Sequence, residues 1–248
     1  MENRTPPADV TACVVVIGNE ILSGRTQDQN IAFLGRRCDE LGIRLVEARV
    51  IPDVEAAIIA TVDACRNNFD YVFTSGGIGP THDDITSVSI ARLFHTNLVR
   101  DTTAVAAMER YYEPGSLNEA RLKMADIPAG AILIDNPVSG APGFQLENVF
   151  VLPGVPLILQ VMFDGITDRL TGGPPMLTET VVTRLTEGVI AAGLGQIQAV
   201  RPRITIGSYP YFRGGKLGVN IVMRSTDRDE LNKVNGEVRE LLRQLGEK

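Results

Sequence analysis

Apolar residues in the first 95 positions alternate between two patterns. Short apolar runs rich in β-branched residues predict buried strands at 11–18, 43–51 and 69–76. After the first run, Ile31, Leu34 and Cys38 recur at spacings of three and four, which predicts an amphipathic helix. Further helices are predicted at 53–68 and 83–95. Because strand and helix alternate three times, we expect a parallel sheet with helices on both faces.

The pattern changes beyond residue 100. A helical region is predicted at 102–126, broken at 113–116, and is followed by a strand at 131–135 and a hairpin that turns at Glu147-Asn148. A Gly/Pro segment at 170–175 predicts a linker. The patterns that follow predict strands at 177–185, 203–212 and 216–225 and helices at 186–200 and 227–245.

These elements predict the domain organisation. We expect an α/β domain with a mostly parallel sheet over residues 11–172 and a small α+β domain of β-α-β-β-α order over residues 176–248. The first ten residues are polar and proline-containing, and we expect them to be loosely ordered. They lack the apolar core of a signal peptide, and the chain has no apolar stretch of 18 residues, so we expect a cytoplasmic protein with no membrane partner.

The net charge and the cysteine content of the chain exclude some classes of function. The net charge is −6 and the isoelectric point is about 5.1, which argues against a broad nucleic-acid-binding face. Cys13, Cys38 and Cys65 lie far apart and form no C-x-x-C pair, so we expect buried, reduced thiols. An anionic ligand would therefore need a local site or a metal ion to offset the overall negative field.

Glycine- and proline-containing loops follow several predicted strands, at 18–24, 74–84, 136–144 and 152–156. The carboxyl ends of parallel strands meet at one edge of a sheet, where α/β proteins bind their ligands. We therefore expect these loops to converge on one site. The loop at 74–84 matches neither the P-loop nor the dinucleotide fingerprint, and it could equally be a tight strand-to-helix turn.

Acidic residues come from separate strand ends in this region, which suggests coordination of an ion such as Mg²⁺. Alternatives stay open for each of them. Asp53 and Asp84 suit helix N-cap positions, and Glu20 could be a solvated loop acid. For Arg121 and Lys123 we favour a solvated helix face over a phosphate contact. No Ser/His/Asp set is evident, so covalent serine catalysis is rejected.

The stretch "TSGGIGPTHDDIT", residues 74–86, resembles the signature of the MoaB/Mog (molybdopterin-binding) superfamily. Together with "GNEILSG", "NPVSGAPGF" and "LPGVP" it is similar to the CinA branch, which includes the molybdopterin-binding domain of FAD synthases. The resemblance implies a three-layer α/β/α domain whose glycine loop binds the phosphate of a pterin or nucleotide. It also implies that Asp53 and Asp84 match functional aspartates of the Mog branch, and that relatives assemble as dimers or trimers.

The CinA resemblance implies metal-dependent hydrolysis of a dinucleotide pyrophosphate such as ADP-ribose or FAD. The expected catalytic residues are Asp84, Asp53 and Asp83, and the expected ligands of a Mg²⁺, Mn²⁺ or Co²⁺ ion are Asp84, Asp53 and Glu20. The expected substrate contacts are Gly18, Glu20, Gly76, Gly77, Gly79, Pro80, Thr81, Asn136, Pro137, Ser139, Gly140, Pro153 and Gly154.

Two other functions remain open: an adenylyltransferase of the molybdenum-cofactor pathway and a non-catalytic nucleotide-binding module. The 248 residues contain neither the nicotinamide-mononucleotide deamidase domain of full-length CinA nor the reductase-like domain of FAD synthases. We therefore expect neither of those activities. The expected partners are a small nucleotide or pterin and further copies of the chain, with no nucleic acid.

Overall fold

The structure is a computed structural model that describes residues 10–247, apart from the side chains at positions 213 and 216. The prediction of a loosely ordered N-terminus concerns residues 1–10, of which only Val10 belongs to the described part. Its carbonyl accepts a hydrogen bond from the Arg44 N–H at 2.8 Å. The described chain divides between Gly173 and Pro174 into two compact units.

The first unit alternates strands and helices. In chain order its elements are β1 (Thr11–Ile17), α1 (Asn19–Leu22), α2 (Asn30–Glu40), β2 (Arg44–Ile51), α3 (Glu55–Arg66), β3 (Tyr71–Ser75), α4 (Thr86–Leu93), β4 (Leu98–Arg100), α5 (Thr102–Glu109), α6 (Glu119–Leu122), β5 (Asp126–Pro128), β6 (Ile132–Ile134), β7 (Gly143–Leu146), β8 (Val149–Leu152) and α7 (Pro156–Asp164).

The central sheet of the described chain has the strand order β2-β1-β3-β8-β7-β6. Strands β2, β1, β3 and β8 are parallel, and β7 is antiparallel to both of its neighbours. Strand β6 therefore runs in the same direction as β8. The loops after β1, β2, β3, β6 and β8 consequently all leave from one edge of the sheet, as the sequence predicted.

Helices cover both faces of this sheet because successive strand side chains point to opposite sides. Val14 and Phe73 pack with Leu34 of α2 and Phe163 of α7. Their neighbours, such as Val15, pack with residues of α3 and α4 on the other face. Strand β1 is buried on both faces, which explains its continuous apolar run. The predicted three-layer α/β/α fold is confirmed.

The structure corrects the sequence prediction at two helix starts. Helix α3 begins after Val54 and helix α4 begins after Ile85, and neither start has a side-chain cap. Asp53 and Asp84 are therefore not N-caps. A short antiparallel ribbon of β4 and β5 was also missed. Its strands have three residues each, too few to show a periodic pattern.

The second unit has the β-α-β-β-α order that the sequence predicts. It contains β9 (Leu177–Thr183), α8 (Glu187–Ala199), β10 (Thr205–Arg213), β11 (Lys216–Ser225) and α9 (Arg228–Gln244). The antiparallel strand order is β10-β11-β9. In α9, apolar residues at spacings of three and four pack with Ile221 and Met223 of β11, and the Asp227 carboxylate caps the helix by accepting two N–H bonds of 3.0 Å.

Candidate functional site

The candidate site lies at a change of strand order. From the central strand β1 the chain goes first to β2 on one side and later to β3 on the other. Loops that leave β1 and β3 therefore diverge, and such a switch point is where open α/β sheets bind ligands. The loop after β8 is adjacent, because a Cβ placed on Gly154 would lie 3.5 Å from the Gly76 Cα.

Two glycines let the loop after β3 turn tightly. Gly76 has φ +110°, and a Cβ there would lie 2.2 Å from the Ile17 carbonyl oxygen. Gly77 has φ +69°, and a Cβ there would lie 2.2 Å from Thr86 Oγ1. Residues with a side chain rarely adopt such φ values, and at both positions there is no space for a Cβ atom. Both positions require glycine for backbone reasons, whatever ligand binds.

Thr86 fixes the two glycines through hydrogen bonds to their carbonyl groups, and the sequence analysis did not identify this residue. Its hydroxyl donates to the Gly76 carbonyl at 3.0 Å, and its N–H donates to the Gly77 carbonyl at 2.9 Å. The Gly76 N–H donates to the Leu152 carbonyl at 3.0 Å and is therefore committed to the fold. Among residues 10–247, the N–H groups of Gly77 and Gly79 have no protein acceptor.

Asp84 folds back onto the loop that precedes it. Its Oδ2 accepts hydrogen bonds from the Thr81 N–H at 2.8 Å and from the Thr81 hydroxyl at 2.6 Å. A Cβ on Gly79 would lie 2.6 Å from the same oxygen, so Gly79 makes room for the carboxylate. Asp84 thus closes the 79–84 turn, and this explains why a carboxylate can sit beside the glycines.

Asp83 shares the Thr81 hydroxyl with Asp84. Its Oδ1 lies 2.5 Å from Thr81 Oγ1, and a hydroxyl has a single proton, so it can donate to one carboxylate at a time. The hydrogen bond from Thr81 holds the pKa of Asp83 below its usual value. His82 and Pro80 are exposed beside it. The carboxylate of Asp83 thus stays ionised in contact with solvent.

Lys123 braces the same turn from a distant part of the chain. Its Nζ donates to the carbonyl oxygens of Thr81 and Asp84, the latter at 2.8 Å. The expected solvated helix face is therefore wrong for Lys123. Arg121 instead donates to the Ser116 carbonyl at 2.6 Å and stacks over the Tyr112 ring at 4.8 Å. Lys123 places a positive charge beside the acidic end of the loop.

Asp53 links the loops after β1 and β2. Its Oδ2 accepts a hydrogen bond from the Asn19 N–H at 2.8 Å, one residue after Gly18. The Gly18 N–H donates to the Ile51 carbonyl at 3.1 Å. Glu20 is exposed, and its carboxylate lies over Gly18, where a Cβ would be 2.6 Å from Oε1. Glu20 and Asp53 thus belong to one loop pair beside β1.

Asn30 is a second residue that sequence reasoning missed. Its Nδ2 donates to Ser75 Oγ at 2.8 Å and to the Gly154 carbonyl at 2.9 Å, which ties α2 to the ends of β3 and β8. The side chain is buried, and its Oδ1 has no hydrogen-bond partner in the described part of the chain. One signal was present in the sequence. Asn30 precedes Leu34 and Cys38 by four and eight residues, so a polar group occupies the buried stripe of α2.

Hydrogen bonds of the Asn136 side chain determine the conformation of the 136–142 loop. The Asn136 Oδ1 accepts from the N–H groups of Val138 and Ser139, and its Nδ2 donates to Ser139 Oγ and the Ala141 carbonyl, both at 2.8 Å. Tyr111 braces the loop by donating to the Pro137 carbonyl at 3.0 Å. The amide of Asn136 is thus fully used inside its own loop, and Gly140, with φ +74°, packs on the Tyr111 ring.

Exposed apolar side chains surround this edge of the sheet. The loops after β1, β2, β6 and β8 each carry one, between 42% and 55% exposed: Leu22, Val54, Val138 and Val155. Exposed apolar groups beside polar loops are typical of sites that bind a ring system. Pro153 lies next to Val155 at the same edge and is half-buried.

Among residues 10–247, no group of three or more His, Cys, Asp or Glu side chains is arranged to hold a metal ion. Asp84, Asp53 and Glu20 therefore do not form a preassembled metal site. Their hard carboxylate oxygens still suit an ion that also binds substrate phosphates. Within the same residues, no helix is both long and apolar enough to span a membrane.

Two family models match the chain. Residues 13–172 match a family described as a probable molybdopterin binding domain, and residues 175–246 match one described as the middle domain of FAD synthase. A solved structure described as the protein CinA with unknown function, from Thermoplasma acidophilum, has a TM-score of 0.61 and 34% identity. It covers 64% of this chain and 96% of its own.

Two curated relatives show the extent of the similarity. A protein of Archaeoglobus fulgidus, whose name states no function, is 32% identical over 230 residues, covering 92% of this chain and 96% of that protein. A "Probable FAD synthase" of Caenorhabditis briggsae is 30% identical over 266 residues, covering 96% of this chain. The chain spans 51% of the length of that FAD synthase relative.

Proposed function

Because the chain belongs to the molybdopterin-binding domain family and carries a FAD synthase middle domain, we propose that its first unit binds a dinucleotide and hydrolyses the pyrophosphate bond. ADP-ribose and FAD are the substrates to test first. The glycine turn carries the proposal. It is fixed by Thr86 and Leu152, and it ends in a carboxylate that Thr81 and Lys123 hold in place.

Phosphate would bind to the glycine turn through the free N–H groups of Gly77 and Gly79. Backbone N–H groups in a tight turn form a concave anion site. Since the Gly76 N–H is already used, its role is to place the turn rather than to contact phosphate. The base or flavin ring would pack on the exposed apolar groups at the same edge, with Val138 and Val155 on one side and Leu22 and Val54 on the other.

The carboxylates would position the water that attacks phosphorus. Asp84 Oδ2 is committed to Thr81, so its second oxygen, together with Asp53 and Glu20, would hold a divalent ion. When bound, Mg²⁺, Mn²⁺ or Co²⁺ supplies charge neutralisation and activates water. These side chains are not preassembled, so we expect ion and diphosphate to bind together. Asp83, exposed beside Asp84, would accept the proton released from the water.

The test is a hydrolysis assay of the whole chain with ADP-ribose and FAD, each in the presence of Mg²⁺, Mn²⁺ or Co²⁺. Release of AMP is expected, and Asp84→Asn should lower kcat by about 100-fold or more if that carboxylate helps to activate the water. Asp168→Asn, at an exposed aspartate elsewhere in the same unit, is the matched control. Absence of turnover with every pair, or an Asp84→Asn variant that behaves as wild type, would contradict the proposal.

The family description names molybdopterin binding, and this supports molybdopterin as the ligand in one alternative, an adenylyltransferase that acts on it. AMP transfer to molybdopterin without hydrolysis of free dinucleotides would support it. Thermal stabilisation by ADP-ribose or FAD without turnover would instead indicate a non-catalytic binding module. A dimer or trimer stays a prediction, which light scattering on the purified chain would test.

A further inference from the structure

A pair of cysteines lies in the core of the first unit, away from the loops of the candidate site. Cys13 is on β1 and Cys65 is in the last turn of α3. Their Sγ atoms are 3.3 Å apart, both residues are fully buried, and both are free thiols. A disulfide has an S–S length of about 2.0 Å, so the two sulfurs need to approach by about 1.3 Å to bond.

Charged groups lie close to this pair. The Arg49 guanidinium is ion-paired to Glu47 at 2.7 Å. Both side chains belong to the neighbouring strand β2, and their charges shift the pKa values of the two thiols. Contact with the Cys13 sulfur and then the Arg49 charge hold the pKa of Cys65 below its usual value. The same sulfur contact raises the pKa of Cys13. Cys65 is therefore the thiol of the pair that ionises more readily, and the thiolate is the reactive form.

Cys38 provides an internal comparison. It is fully buried like the others, but it belongs to the core on the opposite face of the sheet, with α2. Burial raises its pKa to about 12. No other thiol is hydrogen-bonded to it in the described chain. Burial alone thus does not bring thiols together here, whereas the β1–α3 packing does.

We propose that Cys13 and Cys65 are a site of oxidative modification, at which a peroxide converts the two thiols into one intramolecular disulfide. The Cys65 thiolate attacks one peroxide oxygen, the O–O bond breaks, and the departing hydroxide takes up a proton to become water. This leaves a sulfenic acid on Cys65. The Cys13 sulfur then attacks the Cys65 sulfur, the S–S bond forms, and the sulfenic oxygen leaves as a second water.

The electrons and atoms balance, because two thiols lose two hydrogens and two electrons while hydrogen peroxide becomes two waters. Hydrogen peroxide is about the size of water and can reach a buried thiol when the last turn of α3 opens locally. The cross-link would join the strand that leads into Gly18 to the helix that follows Asp53. This inference stands on the cysteine geometry and does not depend on the proposed hydrolysis.

Peptide mapping of the whole chain tests the proposal. The reduced protein is treated with hydrogen peroxide under native conditions, unfolded, alkylated and digested with trypsin. Each cysteine falls in a separate tryptic peptide, 5–25, 38–44 or 50–66. We expect peptides 5–25 and 50–66 to be linked to each other and Cys38 to be alkylated. The linked pair should weigh about 2 Da less than the two reduced peptides together, because two hydrogens are lost. The thermal midpoint of the oxidised protein should rise, because the cross-link restricts the unfolded chain.

Three comparisons make the result decisive. Cys38→Ala should still form the cross-link, whereas Cys13→Ala should lose it. Oxidation of the wild-type chain in denaturant should give all three possible cysteine pairs without this preference. This comparison shows that the preference depends on the fold, even where the Cys13→Ala variant does not fold. Absence of the 5–25/50–66 link in the native wild-type protein, or links to Cys38 at equal yield, would overturn the proposal.

Discussion

The substitution Gly77→Ala tests whether the glycine turn depends on close packing or only on backbone conformation. Gly77 has φ +69°, and an added Cβ would lie 2.2 Å from Thr86 Oγ1. Gly24 has the same φ of +69°, but nothing lies within 4 Å of an added Cβ. Gly24→Ala is therefore a matched control, because it carries the backbone cost without the clash.

The structure allows the two costs to be separated. A non-glycine residue in the left-handed region costs roughly 1–2 kcal/mol, less roughly 0.4–1 kcal/mol gained from restricting the unfolded chain. We therefore expect Gly24→Ala to cost about 1 kcal/mol. Gly77→Ala must also displace Thr86, which breaks its buried hydrogen bond to Gly76. Overpacking and an unpaired buried group add roughly 2–4 kcal/mol, for a total of about 3–5 kcal/mol.

Urea unfolding followed by far-ultraviolet circular dichroism measures both values, since the chain has no tryptophan for fluorescence. Both glycines belong to the first unit, so the same transition reports on both variants. Adding Thr86→Ala should remove most of the extra cost of Gly77→Ala, because the clashing hydroxyl is gone and only the tight contact with the Cβ of residue 86, at 3.2 Å, stays. Equal costs for Gly77→Ala and Gly24→Ala in the wild-type background would refute the packing argument.

Two further predictions concern polar groups at the same edge. Asn30→Ala should destabilise the first unit by roughly 1–3 kcal/mol in urea unfolding, because Ser75 and Gly154 lose a buried donor. Asn67→Ala, which removes an exposed amide, should cost much less. Thr81→Ala should raise the pKa of Asp83 towards its usual value, because the hydrogen bond from the hydroxyl is lost, and carboxyl NMR titration measures this change. The Thr81–Asp83 contact stabilises the fold only above the unfolded-state pKa and is lost as pH falls through the folded-state pKa.

Each of these has a clear contradicting result. If Asn30→Ala costs no more than Asn67→Ala, the buried amide does not join the loops as described. If the Asp83 titration is unchanged in Thr81→Ala, the hydroxyl is not the group that lowers that pKa. In either case the fold would stand, because it rests on the two apolar cores.

Local periodicity determined the longer elements of this protein. The apolar run of β1 and the three- and four-residue spacing in α2 and α9 identify buried strands and amphipathic helices, because each element must bury a continuous apolar face. The alternation of strand and helix then determined a parallel sheet, and with it the single edge at which the glycine loops meet. The hairpin was equally readable, because the polar pair Glu147-Asn148 separates two apolar runs, and Glu147 has φ +51° at this turn in the structure.

Only the tertiary structure decided what each polar side chain does at that edge. Asp53 and Asp84 suited helix caps in the sequence, but the strand order placed the Asn19 N–H beside one, and a tight turn placed Thr81 beside the other. Lys123 reaches Thr81 across 42 residues, and Asn30 reaches Gly154 across 124. A periodic pattern reports which face of an element is buried, whereas a hydrogen-bond partner depends on which loops the sheet brings together.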